Sequence, residues 1–130
     1  MEDLVQFRLS SIATDIANDF AEKYFFDDNQ DAAKFGMAYA LKYCRDEIDI
    51  ESILTGKVLS DDYNNNGSNY SVGGIDPDGK IASVVKEIYP DCTTPYRYVR
   101  ILMIYGLVKL RDRISSIEEL KDLSLIHISE

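Results

Sequence analysis

Residues 4–10 alternate between polar and apolar side chains. The polar set, on one face of an extended segment, consists of Gln6, Arg8 and Ser10, and the apolar set on the other face consists of Val5, Phe7 and Leu9. This period of two predicts a short half-buried strand. Amide, guanidinium and hydroxyl groups side by side can form hydrogen bonds with a partner. A strand with an ordinary solvated face is the alternative that stays open.

A second polar group lies late in the chain, where residues 80–113 hold seven bases against three acids. Arg97 and Arg100 are three residues apart and share one face of a predicted helix. They could hold phosphates or an acidic partner, and the adjacent Tyr96 and Tyr98 could stack on bases. Equally, they could pair with the acidic first half of the chain. Arg97 and Arg100 are therefore candidate DNA-binding residues.

The residue types argue against catalysis. A nucleophile needs a base beside it, and the only histidine, His127, lies close to the C-terminus. Cys44 and Cys92 lack the spacing of a zinc site or a disulfide framework, and adjacent carboxylates such as Asp61 and Asp62 fit a solvated turn. We expect no catalytic residue, no metal site and no cofactor, and hence a protein that is not an enzyme.

The charge limits any contact with nucleic acid. The formal net charge is −9, of which residues 1–62 carry −8 (14 acids and 6 bases) and residues 63–130 carry −1 (9 acids and 8 bases). A general polyanion binder would have a basic surplus, so DNA contact must be local or must come from an oligomer. No apolar run approaches the ~20 residues of a membrane span, and the acidic N-terminus is unlike a secretory signal. We expect a cytoplasmic protein that does not contact the membrane.

Helical periodicity dominates the rest of the chain. Helices are predicted at about 11–25, 30–45 and 48–54, from Asp76-Pro77 to the residues before Pro90, at 95–113, and from about Ile117 behind a capping box formed by Ser116 and Glu119. The Ala and Gly positions of the second helix allow close approach by a neighbour. The predicted fold class is mainly α. We expect a single small domain over residues 1–122, with a short N-terminal strand followed by about five helices in the order β-α-α-loop-α-α.

The segment at about 60–74 is the predicted flexible loop, because its Asp, Asn, Gly and Ser residues hold little that could fill a core. It begins like a calcium-binding EF-hand loop at Asp62, but Gly73 stands where a bidentate glutamate is required. A flexible Asn/Gly turn is the preferred interpretation.

The polar face of the first strand, followed by two helices, resembles a ribbon-helix-helix protein over residues 4–44. The resemblance implies that Gln6, Arg8 and Ser10 enter the major groove from a strand paired across a dimer, and that the helix start near Asn29 meets a phosphate. The whole chain also resembles the small DndE-type component of bacterial DNA phosphorothioation systems, through the Ala-rich Ala32–Leu41 and the Gly-Leu-x-x-Leu feature Gly106–Leu110. That resemblance implies DNA modification, phage defence and an oligomer.

The tail 123–130 reads LSLIHISE and resembles the conceptual translation of a transposon-end sequencing adapter. We expect it to be non-native, and the source to be assembled environmental DNA.

These observations predict a non-enzymatic accessory protein. It would bind DNA or a DNA-processing or defence complex, as a homo-oligomer and with a possible protein partner from that system. The alternative is an acidic protein–protein interaction module, antitoxin-like or a defence-system partner, without direct DNA binding. The acidic first half favours that second hypothesis.

Overall fold

The computed structural model describes residues 1–58 and 60–123, with side chains described as far as residue 115. The remainder of the predicted tail, 124–130, lies outside the described residues. Six α-helices and a two-stranded sheet are present within that range, which confirms the predicted mainly α class. The helices are α1 (Ser11–Lys23), α2 (Asn29–Tyr39), α3 (Ile50–Leu54), α4 (Val72–Ile75), α5 (Lys80–Ile88) and α6 (Pro95–Leu123). The strands are β1 (Gln6–Arg8) and β2 (Asn69–Ser71), a π-helical turn (Ala40–Cys44) continues α2, and a 3₁₀ turn spans Asp61–Tyr63.

Helix α1 begins as the sequence predicts. The side chain of Ser10 accepts a hydrogen bond from the Ala13 amide, so it supplies the N-cap. The buried face recurs at helical spacing and consists of Ala13, Ile16, Ala17 and Phe20. This face lies against α2 and α6, and its alanines let the helices approach closely.

The centre of the fold is the packing of α2 against α6. Gly36 of α2 and Gly106 of α6 face each other, and a Cβ built on Gly106 would lie 1.8 Å from the carbonyl oxygen of Gly36. Only glycine fits at Gly106, because the atom in the way belongs to the backbone. Helix α6 is buried on nearly all sides here, with Val99, Leu102, Met103, Ile104 and Leu107 inaccessible to solvent. The expected close approach of a neighbouring helix to α2 is therefore found.

The two strands form an antiparallel ribbon within one chain. Phe7 pairs with Tyr70 on the inner face, where the ring centroids lie 6.0 Å apart in an edge-to-face arrangement. The outer pairs are Gln6 with Ser71 and Arg8 with Asn69. Backbone hydrogen bonds extend the pairing from Val72 to Val5 and from Leu9 to Ser68. Residues 69–71, which lie in the segment predicted as a loop, thus pair with one edge of β1 within the chain; pairing of β1 with a second copy stays a prediction. Of the apolar strand face, Phe7 and Leu9 are buried, whereas Val5 is exposed.

Three local predictions differ from the structure. The segment predicted as a loop at 60–74 contains the 3₁₀ turn, β2 and α4, because its polar side chains bond to the backbone instead of to solvent alone. The helix predicted from Asp76-Pro77 begins at Lys80; Asp76 still caps it, across a turn, by accepting hydrogen bonds from the Ile81 and Ala82 amides. The capping box at Ser116 is wrong, since α6 continues to Leu123 through a stretch without Gly or Pro.

No helix among the described residues is both long and apolar enough to cross a membrane.

Candidate anion-binding groove

A groove of about 430 Å³ lies between the β-ribbon, the start of α6, α3 and the segment after the 3₁₀ turn. Its polar lining consists of Gln6, Arg8, Tyr63, Asn65, Asn69, Arg97 and Arg100, and its apolar lining consists of Leu4, Phe7, Ile53, Leu54 and Ile101. The fold thus brings together four of the five residues singled out in the sequence, from positions more than ninety residues apart. We call this surface the arginine groove.

Arg100 fixes one wall of the arginine groove. Its Nε donates to the carbonyl oxygen of Arg8 at 2.7 Å, and one terminal nitrogen donates to the carbonyls of Tyr63 at 2.9 Å and Asn64 at 2.6 Å. The side chain is half-buried. Burial lowers the pKa of the guanidinium and Tyr63 partly offsets that effect, yet an arginine stays charged in a protein. Arg100 therefore ties α6 to β1 and to the segment near Tyr63, and it adds a positive charge to the wall.

Arg97 and Arg8 are held more loosely. The Nε of Arg97 donates to the Glu2 carbonyl at 2.6 Å, and a terminal nitrogen of Arg8 donates to the Gly67 carbonyl at 3.2 Å. Arg8 is exposed and Arg97 is partly exposed. A guanidinium carries five N–H donors, and the structure gives each of these two one hydrogen bond to the described residues. Both can therefore bind an anion without giving up the contact that positions them.

The arginine groove is cationic within an acidic chain. Its lining contains three arginines and no carboxylate, and the ion pairs between described side chains include none of the three. The sequence left open that Arg97 and Arg100 pair with acidic side chains in the first half of the chain. In the structure both arginines donate to backbone carbonyls instead. Carbonyl dipoles position a guanidinium but leave its net charge uncompensated.

The start of α6 is satisfied by the chain itself. The carboxylate of Asp3 accepts hydrogen bonds from the backbone amides of Tyr96 and Arg97. The helix terminus beside the arginine groove is therefore capped, and the guanidinium groups are what remains for an anion.

The side chain of Asn64 holds the segment after the 3₁₀ turn against the start of α1. Its Oδ1 accepts from the amides of Ser11 and Asn66, and its Nδ2 donates to the Ser11 hydroxyl and the Asp61 carbonyl. Nearby, the Gly67 amide donates to the Leu9 carbonyl at 2.8 Å. A Cβ at Gly67 would collide with the backbone carbonyls of Leu9 and Ser10. This packing brings β2 alongside β1.

Ser10 does not belong to the arginine groove. It is fully buried, and its hydroxyl caps α1. The strand alternation placed it with Gln6 and Arg8, but β1 ends at Arg8, so the period of two no longer holds at Ser10. We therefore leave it out of the proposed site.

The structure adds groove residues that the sequence did not indicate. Asn69 lies opposite Arg8 on β2, and its Nδ2 donates to Oε1 of Gln6 at 3.4 Å. The run Asn69-Tyr70-Ser71 alternates polar, apolar and polar, which was the available signal for a second strand. Tyr63 is half-buried, and burial raises its pKa to about 12, so its hydroxyl stays neutral.

Three other basic residues of α6, Lys109, Arg111 and Arg113, lie outside the arginine groove. Lys109 pairs with Glu47 at 3.8 Å, Arg111 pairs with Asp112 at 3.1 Å, and Arg113 donates to the Tyr39 hydroxyl. They belong to the far part of the helix and do not line the arginine groove. Among the basic side chains of α6 up to residue 115, the two arginines in the first turns of the helix line the groove.

The described residues contain no group of histidine, cysteine or acidic side chains arranged to hold a metal ion. Cys44 and Cys92 are buried free thiols, and burial raises the pKa of each. Buried neutral thiols are poor nucleophiles.

No protein-family model, curated protein or solved structure matches the chain.

Proposed function

We propose that this protein is a non-enzymatic accessory protein that binds DNA through the arginine groove. The observation that carries the proposal is a cluster of three arginines without a carboxylate partner, in a chain whose net charge is −9. Arg8 and Arg97 each use one of five N–H donors in a bond to the described residues, so the others can bind an anion. Phosphate groups suit guanidinium donors in both charge and geometry.

The β-ribbon is the element that would contact bases. A two-stranded ribbon fits the major groove of duplex DNA, and the outward side chains here are Gln6, Arg8 and Asn69. Glutamine and asparagine match the edge of adenine, and arginine matches the edge of guanine. Arg97 lies beside the ribbon, where it would contact a phosphate. Because β2 comes from the same chain, one protomer carries a complete ribbon.

The number of arginine contacts sets the expected salt dependence of DNA binding, and the negative net charge weakens the binding. Each phosphate contact contributes a slope of about −0.9 to the dependence of log affinity on log salt. Two or three arginine contacts therefore give a slope of about −2 to −3, well below that of a strong DNA binder. The acidic remainder of the chain repels DNA. Assembly into an oligomer or with a DNA-processing complex would add arginine grooves along one duplex, which is why we assign an accessory role.

The test is fluorescence anisotropy of a short labelled duplex, measured over a range of salt concentrations. Wild-type protein is expected to bind with the slope given above. Changing Arg8→Ala and Arg97→Ala together should reduce that slope by about 2. Neither substitution removes a core residue, so we expect the double variant to fold, and its melting temperature checks this.

Arg45→Ala is the matched control. Arg45 is exposed and lies outside the arginine groove, so Arg45→Ala removes one positive charge, as Arg8→Ala or Arg97→Ala alone does, without removing a groove contact. Equal losses of affinity in Arg45→Ala and in each single groove variant would attribute binding to overall charge and contradict the proposal. A strict monomer in light scattering, with DNA retention unchanged in the groove variants, would reject both the groove and the oligomer.

A second candidate function is an acidic protein–protein interaction module without direct DNA binding. The charge of −8 over residues 1–62 favours it, as do the exposed aromatic side chains of Tyr24, Phe25 and Phe35 in that half. A basic protein partner, together with no salt-sensitive DNA binding, would select this function over the first.

A further inference from the structure

The turn between α1 and α2 has a phenylalanine at a position whose left-handed backbone conformation favours glycine. Phe25 follows Tyr24, the C-cap of α1, and has a φ of 62°. Glycine is usual there, because a Cβ clashes in the left-handed region. The Phe25 side chain is also 91% exposed. The fold therefore gains neither favourable backbone geometry nor buried apolar area from this residue.

Further aromatic surface adjoins the turn. Phe26 packs against Phe35 with ring centroids 5.6 Å apart, and Phe35 is 50% exposed while Tyr24 is 44% exposed. Single exposed apolar residues are ordinary, whereas grouped aromatic side chains are typical of interaction surfaces. Aromatic rings give large contact area at a low cost in conformational entropy.

The charges around the turn limit what can bind. Residues 15–31 hold six acids and one base, and that base, Lys23, pairs with Asp19 at 3.2 Å. Asp27 and Asp28 directly follow the aromatic run and are exposed. An anionic membrane or a nucleic acid would be repelled here. A twofold contact between two copies would bring like charges together.

We infer that this surface, the aromatic turn (Tyr24, Phe25, Asp27, Asp28 and Phe35), docks a basic segment of another protein. Phe25 inserts between aliphatic and cationic side chains of that partner, where its ring face attracts lysine or arginine. Asp27 and Asp28 pair with neighbouring bases of the same segment. The inference does not depend on DNA binding; it rests on the second candidate function and names the surface and the partner chemistry for it.

The test uses three short labelled peptides of equal length, built from lysine and leucine, lysine and serine, or glutamate and leucine. The lysine–leucine peptide is expected to bind most tightly and the glutamate–leucine peptide not to bind. Phe25→Gly should weaken the lysine–leucine complex at least tenfold, a change of about 1.4 kcal/mol. The same variant should melt at the wild-type temperature or a few degrees higher, because glycine relieves the left-handed strain.

Controls separate this surface from others. Val58→Ser removes an exposed apolar side chain from another surface and should leave peptide affinity unchanged. Arg8→Ala with Arg97→Ala should also leave it unchanged, so failure of the arginine groove and failure of the aromatic turn are distinguishable. Three results would overturn the inference: unchanged peptide affinity in Phe25→Gly, a lowered melting temperature in that variant, or a wild-type dimer that Phe25→Gly converts to a monomer in sedimentation.

Discussion

The Nε of Arg100 lies 2.7 Å from the carbonyl oxygen of Arg8, and this bond joins α6 to β1 across 92 residues of sequence. The same guanidinium binds two further carbonyls, of Tyr63 and Asn64. The side chain of Arg100 thus joins three segments around the arginine groove: α6, β1 and residues 63–64. The relationship has a direct consequence for stability, because the fork geometry of arginine cannot be reproduced by a single ammonium group.

Arg100→Lys should lower the free energy of unfolding by about 1.5–3 kcal/mol, the range for hydrogen bonds to a charged group. Urea denaturation at neutral pH measures this value. Arg97→Lys is the comparison, since Arg97 makes one hydrogen bond to the described residues; it should change stability by less than about 1 kcal/mol. Equal effects of the two substitutions would show that the additional hydrogen bonds of Arg100 do not stabilise the fold.

Asn64 should matter more than the asparagines beside it. Its side chain makes four hydrogen bonds, which hold the start of α1 and the segment leading to β2. We expect Asn64→Ala to cost about 1–2 kcal/mol, a partial sum because the residue is only half-buried. Asn66→Ala is the control, since only the backbone of Asn66 takes part. Chemical denaturation of both variants is the measurement, and comparable losses would count against the role of Asn64.

Gly106→Ala should destabilise the protein despite the better helix propensity of alanine. Propensity favours alanine by about 1 kcal/mol. The new Cβ, however, would overlap the carbonyl of Gly36, a backbone atom that cannot move without displacing α2. Overpacking of this kind costs about 1–3 kcal/mol or more. The matched variant is Gly73→Ala, whose Cβ meets no atom within 4 Å and which should be neutral or slightly stabilising in thermal denaturation. Equal melting temperatures in the two variants would argue against the close packing of α2 and α6.

Asp76 gives the protein a dependence of stability on pH. Burial alone would raise the pKa of this carboxyl, but hydrogen bonds from the Ala82 and Ile81 amides and from the Tyr96 hydroxyl bring it below its ordinary value of 3.8. A folded-state pKa below the unfolded value means that the ionised carboxylate stabilises the fold above about pH 4 and loses this effect as the pH falls through the folded pKa.

Asp76→Asn should therefore cost about 1–3 kcal/mol at pH 7, and the difference from wild type should shrink below pH 4. Denaturation curves at several pH values measure it. A constant difference between the two proteins across that range would mean that the charge of Asp76 is not what stabilises α5.

The elements with strong local signals could be predicted from the sequence. Ser10 caps α1, Pro95 begins α6, and Pro90 follows the end of α5, because capping and proline geometry act over a few residues. The pairing of β1 with β2 could not be predicted in the same way. It depends on Gly67 and Asn64, whose partners lie more than fifty residues away, and no local pattern specifies such contacts.

The candidate site was predictable in its residue types but not in its arrangement. Arg8 and Arg97 could be singled out from the sequence as candidate contacts for DNA, yet their meeting in one groove follows from α6 crossing beside the ribbon. Burial of Ser10 follows from the end of β1 at Arg8, which alternation alone does not reveal.

The proposed function requires that Arg8 and Arg97 contact DNA phosphates or bases in the arginine groove. Side-chain ¹H–¹⁵N spectra of the arginine Nε groups, recorded while a short duplex is added, test it most directly. We expect the Arg8 and Arg97 signals to shift with added duplex and to return when salt is raised, while those of Arg45 and Arg113 stay in place. Unshifted Arg8 and Arg97 signals at saturating duplex, or equal shifts at all four arginines, would contradict it.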